Sequence, residues 1–147
     1  MNYDLEKILP HNRPMILIDD LIEVNRDEHF VIAKVTIKED MIFFDKTING
    51  VSALTGVEFM AQTIGCYAFF GNEDGKPKIG FLLGSRSYKN NLEKFENGKT
   101  YYIKASEIFS DNELVSFNCL IYNGDEEYAS AVINAFQPKN AQEFLEG

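Results

Sequence analysis

An α+β domain in which an antiparallel sheet curls around one long helix is the fold class this sequence predicts. Three observations carry it. The stretch from Ser52 to Gly71 is apolar almost throughout and long enough for roughly five helical turns. Two β-rich segments precede it and four follow it, each set off by turn residues. A single helix that is apolar on most sides must be wrapped by the sheet to be buried.

Taken in order, residues 3–8 predict a short helix ended by Leu9-Pro10. Met15 to Val24 is rich in β-branched and apolar residues and reads as a long strand. Asn25-Arg-Asp-Glu-His29 supplies a turn, and Phe30 to Ile37 is the returning strand. Met41 to Phe44 is a short extended piece. Ser52 is placed to cap the central helix, and Gly71-Asn72 to stop it. Strands are predicted over Lys78 to Tyr88, Thr100 to Phe109, Leu114 to Tyr122 and Glu127 to Phe136. The Asn97-Gly98 turn precedes the second, Asn123-Gly124-Asp125 joins the last two as a hairpin, and Pro138 stops the last. No linker, repeat or low-complexity tract divides the chain, so residues 1–147 are expected to form a single domain. This layering is the hotdog architecture; a helix lying flat on the sheet is the alternative.

The formal charge is −9, from 14 basic and 23 acidic residues, which argues against a general nucleic-acid binder. The charge is unevenly spread. Residues 76–104 hold seven basic residues (Lys76, Lys78, Arg86, Lys89, Lys94, Lys99, Lys104) against Glu93 and Glu96. A basic patch on an acidic chain suits an acidic partner or a phosphate-bearing ligand; a solvated lysine-rich loop is the plain alternative. No tripartite leader opens the sequence, and no stretch of about 20 apolar residues is free of charge or amide, so no membrane span is expected. Cys66 and Cys119 share no metal-ligand spacing and lie in apolar periodic segments. They are expected as buried free thiols of a cytoplasmic protein.

Within the long helix, Leu54, Val57, Ala61, Ile64, Gly65 and Ala68 recur at steps of three and four, the spacing of one buried face. Glu58 lies on the edge of that face, one turn after Leu54 and one turn before Gln62. Burial disfavours a charged carboxylate unless it is paired or neutralised. A lone acid on a core helix is therefore a candidate general acid or base. A Glu at the solvent edge, or one satisfied by Gln62 and backbone donors, is the plain reading beside it. Of the two histidines, His29 falls in a charged turn and is expected to be exposed and without a role. His11 lies between Pro10 and Pro14, which stiffen the chain. It is either a base held in a rigid loop or a histidine that hydrogen-bonds that loop. The chain has no Walker loop, dinucleotide glycine fingerprint or zinc spacing.

Leu9-Pro-His-Asn-Arg-Pro-Met-Ile-Leu-Ile-Asp-Asp20 resembles the opening motif of hotdog-fold 3-hydroxyacyl-(acyl carrier protein) dehydratases. Glu58-Phe-Met-Ala-Gln62 resembles their central-helix motif, an acid followed by Met-Ala-Gln. Gly84-Ser-Arg-Ser-Tyr88 and the turn at Asn97-Gly98 extend the similarity over residues 5–138. The nearest likeness is to the divergent dehydratase-like subgroup associated with aryl polyene pathways, in which Gly56-Val-Glu58 and a Gly-x-Arg-x-Tyr are expected. One departure matters. Typical members carry a catalytic histidine in a Gly-His-Phe-Pro loop ahead of the helix acid, and the corresponding position here is Phe44, in Ile42-Phe-Phe-Asp-Lys46. The usual Pro-Gly at the helix start is replaced by Ser52-Ala53.

The resemblance implies β-elimination of water from a 3-hydroxyacyl thioester. A base removes the proton next to the thioester carbonyl, and an acid protonates the departing 3-hydroxyl. Backbone N–H groups at a helix N-terminus stabilise the enolate oxygen. By resemblance Glu58 is the acid, with Gln62 in support and substrate contacts expected at Ala53, Leu54 and Gly84; Arg86 and Lys89, in the basic segment, are expected to dock the carrier or its phosphopantetheine phosphate. His11 is the expected replacement for the missing loop histidine. No metal or redox cofactor is implied; the substrate rides on phosphopantetheine. The implied partners are acyl carrier protein and a second subunit, in a homodimer or higher homo-oligomer whose sheets join edge to edge, or a mixed oligomer with a homologous dehydratase. Acid and base would come from different subunits, with the acyl chain in an interface tunnel. Phe43, Phe44, Phe59, Phe69, Phe70 and Phe81 could line it, or form plain core. Three readings stand: an active dehydratase using Glu58 and His11; a weakened dehydratase-like subunit that binds the carrier or pairs with an active homologue; and a hotdog thioesterase using Glu58 or Asp45 to activate water.

Overall fold

A computed structural model describes residues 3–9, 13, 15–71, 81–111 and 114–136. Helix α1 (Leu5–Ile8) is capped by Asp4, whose carboxylate accepts the Glu6 N–H at 3.2 Å. Strands β1 (Asp20–Asn25) and β2 (Phe30–Thr36) form the first hairpin, followed by β3 (Phe44–Asp45) and β4 (Gly50–Ser52). A 3-10 turn (Ala53–Thr55) leads into α2 (Gly56–Phe70). Then come β5 (Phe81–Asn90), β6 (Lys94–Glu96), β7 (Thr100–Asp111), β8 (Leu114–Asn123) and β9 (Glu126–Phe136).

Among the described residues, six strands form one antiparallel sheet in the order β1-β2-β7-β8-β9-β5. Strands β3, β4 and β6 form a second, small sheet. The strand alternation predicted from the sequence is present: Val31, Ala33 and Val35 of β2, Tyr101, Ile103 and Ala105 of β7, and Phe117, Cys119 and Ile121 of β8 all point into the core. Gly124, at φ 59°, makes the β8–β9 turn that the Asn-Gly pair predicts.

Three expectations require correction. The long strand over Met15 to Val24 is shorter, starting at Asp20, because the backbone of residues 15–18 is engaged by a side chain of α2 instead of a neighbouring strand. The strands after α2 are not one meander. β5 crosses to the far edge of the sheet and pairs with β9, leaving β7 beside β2. The third concerns the helix face. Phe59, Met60, Thr63, Cys66 and Tyr67 form the stripe packed against the sheet, each at most 2% exposed. At about 100° per residue, the expected Leu54/Val57/Ala61/Ile64/Gly65/Ala68 stripe lies on nearly the opposite flank; of its members Ile64 and Ala68 are buried, while Leu54 is exposed and Val57, Ala61 and Gly65 are half-buried. Both stripes are apolar, so periodicity alone did not separate them; the sheet takes the one with the larger side chains. Phe59 meets Phe95 edge-on at 5.2 Å, and Tyr67 meets Phe117 at 5.7 Å.

Cys66 and Cys119 are buried free thiols, and burial pushes each up to about 12 from an ordinary value of 9. A thiol raised in the folded state stabilises the fold fully below the unfolded pKa, and that contribution is lost as pH rises from about 9 towards 12. Both thiols are expected to resist alkylation at about pH 8 until the protein unfolds. The thermal midpoint should fall as pH is raised beyond about 9. Full labelling of the folded protein at neutral pH would contradict this.

Candidate active site

The acid stands on the first turn of α2. Ser52 Oγ accepts the Leu54 N–H at 3.3 Å and so starts the 3-10 turn. Gly56 opens α2, and Thr55 supplies no side-chain cap. The N-terminal end of a 15-residue helix, with its partial positive charge, is therefore beside Glu58. Such an end favours a developing oxyanion. Glu58 is exposed in the protomer, and Leu54 is 74% exposed. Of the two settings read from the sequence, the solvent edge is the one found in the protomer: Glu58, and Leu54 in the turn before it, lie on the flank that turns away from the sheet. Any desolvation of Glu58 has to come from something other than its own core. Ile42 and Phe43, 39% and 46% exposed, also present apolar surface to solvent.

Gln62 lies one turn beyond Glu58 on the same flank, but it is buried. Its Oε1 accepts the Leu17 N–H at 2.8 Å, and its Nε2 donates to the Met15 carbonyl at 2.8 Å. One amide thus satisfies a donor and an acceptor of an extended segment, as a neighbouring strand would. The role expected for Gln62 was support of the acid; the geometry gives it an anchor, fixing the segment that follows the two-proline loop. That segment borders a cleft of about 480 Å³ lined by Arg13, Ile16, Asp19, Lys38 and Met41. Asp19 accepts the Thr36 N–H at 2.6 Å and pairs with Lys38 at 3.5 Å.

His11 lies outside the described residues. His29 stands at the opposite end of α2. Its Nδ1 is 3.4 Å from the Tyr67 hydroxyl and 3.3 Å from a Glu107 carboxylate oxygen. Tyr67 is nine residues beyond Glu58, about 13 Å along the helix axis, so His29 does not share a site with Glu58 in one protomer. Phe44, at the position of the usual loop histidine, is half-buried in β3 and packs against the core. Of the aromatics expected along a tunnel, Phe59 is core and Phe70 is 37% exposed, while the Phe81 side chain lies outside the described residues.

Gly84 sits on β5 at a register shift, half-buried. The Arg86 backbone pairs with Val132; its side chain lies outside the described residues. Lys89 is exposed on the same strand and lines a cleft of about 290 Å³ with Asn90, Asn91, Glu127 and Ser130. Of the described lysines of the basic segment, three have separate partners. Lys94 donates to the Ile48 carbonyl at 2.6 Å, Lys99 pairs with Glu96 at 3.0 Å, and Lys104 lies over the Phe30 ring at 4.6 Å. Lys76 and Lys78 lie outside the described residues.

Ala53 is buried, and its carbonyl accepts a hydrogen bond from the Tyr88 hydroxyl at 2.6 Å. Residue-level reading of the sequence missed Tyr88. The signal available was its place at the end of the Gly-x-Arg-x-Tyr motif.

The ApeP-like family (ApeP dehydratase) matches residues 3–146. A 3-hydroxyacyl-[acyl-carrier-protein] dehydratase FabZ of Acetivibrio thermocellus is 37% identical over 92 residues, covering 60% of this chain and 61% of that protein. The bifunctional enzyme LpxC/FabZ of Chlorobaculum tepidum is 38% identical over 84 residues, covering 54% of this chain and 18% of that protein. The matched part therefore spans between 18% and 61% of the length of these two relatives. Among solved structures, the dehydratase heterocomplex ApeI:P from Xenorhabdus doucetiae superimposes with a TM-score of 0.87 at 24% identity, covering 99% of this chain and 97% of that one. The PaaI protein of E. coli superimposes with a TM-score of 0.63 at 11% identity, covering 82% and 80%. Both likenesses establish the hotdog fold.

Proposed function

Since the chain belongs to the ApeP-like dehydratase family, we propose that it acts in dehydration of a 3-hydroxyacyl thioester to the trans-2-enoyl thioester. The acyl group is carried on the phosphopantetheine of an acyl carrier protein in the cytoplasm. The observation that carries this reading is the placement of Glu58: a carboxyl group presented outward from the first turn of an otherwise apolar helix, beside that helix's N-terminal dipole. In the elimination, a base takes the proton from the carbon next to the thioester carbonyl. The C–H electrons form the new double bond, the C–O bond breaks, and Glu58 protonates the leaving hydroxyl so that it departs as water. The backbone N–H groups at the start of α2 stabilise the enolate oxygen. Side chains and backbone suffice for each step.

His11 is the base in this reading. It lies four positions before Met15, whose carbonyl Gln62 holds. That is a chain reach of at most about 14 Å. A second reading assigns the base to a homologous subunit in a mixed oligomer. It is favoured by Phe44, which offers no proton acceptor where the family's loop histidine stands. The exposed Leu54, Ile42 and Phe43 give a second subunit apolar surface to cover, and β5, at the end of the six-stranded sheet, gives its sheet an edge to join.

The test is incubation of the protein, alone and co-expressed with a homologous dehydratase, with a 3-hydroxyacyl carrier. Enoyl product from the protein alone supports the first reading, and enoyl product only from the mixture supports the second. Free carrier thiol would indicate hydrolysis, and no product in either case would overturn dehydration. Lys89, with Arg86, is assigned to carrier docking. Lys89→Glu is expected to weaken carrier association more at low than at high salt, because screening already suppresses such contacts at high salt. An affinity unchanged at both salt levels would remove Lys89 from the docking surface.

A further inference from the structure

Two short motifs far apart in the sequence meet at one point. Strand β5 loses register with β9 between Arg86, opposite Val132, and Lys89, opposite Ser130. Ser87 there adopts φ 57°, the left-handed region. Such a bulge re-aims the next side chain. Here that side chain is Tyr88, which packs partly buried against the core and donates its hydroxyl proton to the Ala53 carbonyl at 2.6 Å. The same carbonyl accepts the Gly56 N–H that closes the 3-10 turn. Gly56 has no room for a side chain: a methyl group on it would overlap the Tyr88 hydroxyl and crowd Phe95 and Ile121. Strand bulge, tyrosine and glycine are therefore parts of one contact, and it lies two residues ahead of Glu58.

We propose that Tyr88 is a positioning residue for the reaction: its bond to Ala53 fixes the turn from which Glu58 and the first N–H groups of α2 project, and it ties that turn to the edge strand. This rests on the assignment of Glu58 as the acid. The bond engages a carbonyl at the entry of α2, so losing it frees the start of the helix without opening the core. Tyr88 is itself held neutral, since burial pushes its phenol up to about 12. It serves as a hydrogen-bond donor across the whole working pH range.

The test uses Tyr88→Phe, Gly56→Ala, the double variant and Glu58→Gln in the assembly that turns over a 3-hydroxyacyl carrier. Tyr88→Phe keeps the ring and is expected to lower kcat roughly fivefold or more, the size expected for one hydrogen bond, with KM within about twofold. Amide hydrogen exchange over residues 53–58 should quicken while the strand amides of β7 and β8 stay protected. Gly56→Ala should be strongly impaired, and adding Tyr88→Phe should restore part of the loss because it removes the overlapping atom. Unchanged kcat in Tyr88→Phe, with Glu58→Gln inactive, would overturn the positioning role alone. Unchanged turnover in both Glu58→Gln and Tyr88→Phe would overturn the assignment of the acid, and the positioning role with it.

Discussion

Glu58→Gln should lower dehydration turnover by roughly 10²–10⁴-fold, the usual contribution of a positioned acid or base. The amide keeps the shape of the side chain but has no proton of suitable acidity for the leaving hydroxyl. Because Glu58 is exposed on the flank away from the sheet, the change should leave the stability of the protomer within about 0.5 kcal/mol. Activity and folding are thereby separated in one variant: the thermal midpoint stays, and enoyl formation disappears. Were Glu58 merely a solvated surface acid, both would be unchanged. Substrate association should also survive, so single-turnover measurements would find the loss in the chemical step.

The exposure of Glu58 changes how the site has to be understood. The sequence placed the carboxyl group on the edge of an apolar helix face, either paired or neutralised there or simply exposed at the solvent edge. In the structure the larger side chains, Phe59, Met60 and Tyr67, take the core, and the acid faces outward with Leu54. A proton donor with a water-excluded surrounding would then need a covering surface from the substrate or a second subunit. In the mixed-oligomer reading, the same covering subunit also brings the base that Phe44 cannot provide.

Much of the fold was legible where local chemistry decides it. Alternation in β2, β7 and β8 and the Asn123-Gly124 turn fixed those strands to within a few residues. The small sheet was not legible, because β3, β4 and β6 have two or three residues each, too few to show a period. The crossover of β5 to β9 was hidden for a different reason: neighbours in a sheet are chosen by tertiary packing, and the bulge at Ser87 has no strong local signal. Of the site, Glu58 and Gln62 stood out as polar residues in an apolar run. Which flank they occupy did not, since the helix is apolar nearly all round. The contact between Gly56 and Tyr88 was visible only as two motifs whose proximity nothing in the sequence stated.

Gln62→Leu is expected to carry the largest stability cost of the changes considered, roughly 2–5 kcal/mol. Leucine matches the volume and keeps the helix, so the loss would come from the backbone of residues 15–18. The Leu17 N–H and the Met15 carbonyl are held at 2.8 Å by the one amide. Leu17 is 5% exposed, so water cannot readily replace the lost acceptor. An unpaired buried backbone group costs about 1–3 kcal/mol, and the two at stake are the N–H groups of Leu17 and Ile18, which reach Gln62 Oε1 at 2.8 and 3.5 Å; Met15 is itself 54% exposed, so its carbonyl adds less. Gln62→Glu separates the two halves of the bond: at acid pH its protonated carboxyl offers an acceptor to Leu17 and an O–H donor to the Met15 carbonyl, so it should lie between parent and leucine variant, and once ionised it keeps the acceptor and loses the donor, so it should be less stable there. Since residues 15–18 follow directly on the segment that holds His11, the leucine variant should also lose turnover beyond what its folded fraction explains, if His11 is the base. Chemical denaturation gives the first quantity, and activity per folded molecule gives the second. A leucine variant as stable as the parent would mean that the 15–18 segment holds its place without Gln62. One that is destabilised yet fully active per folded molecule would take His11 out of the reaction and leave the base to a second subunit.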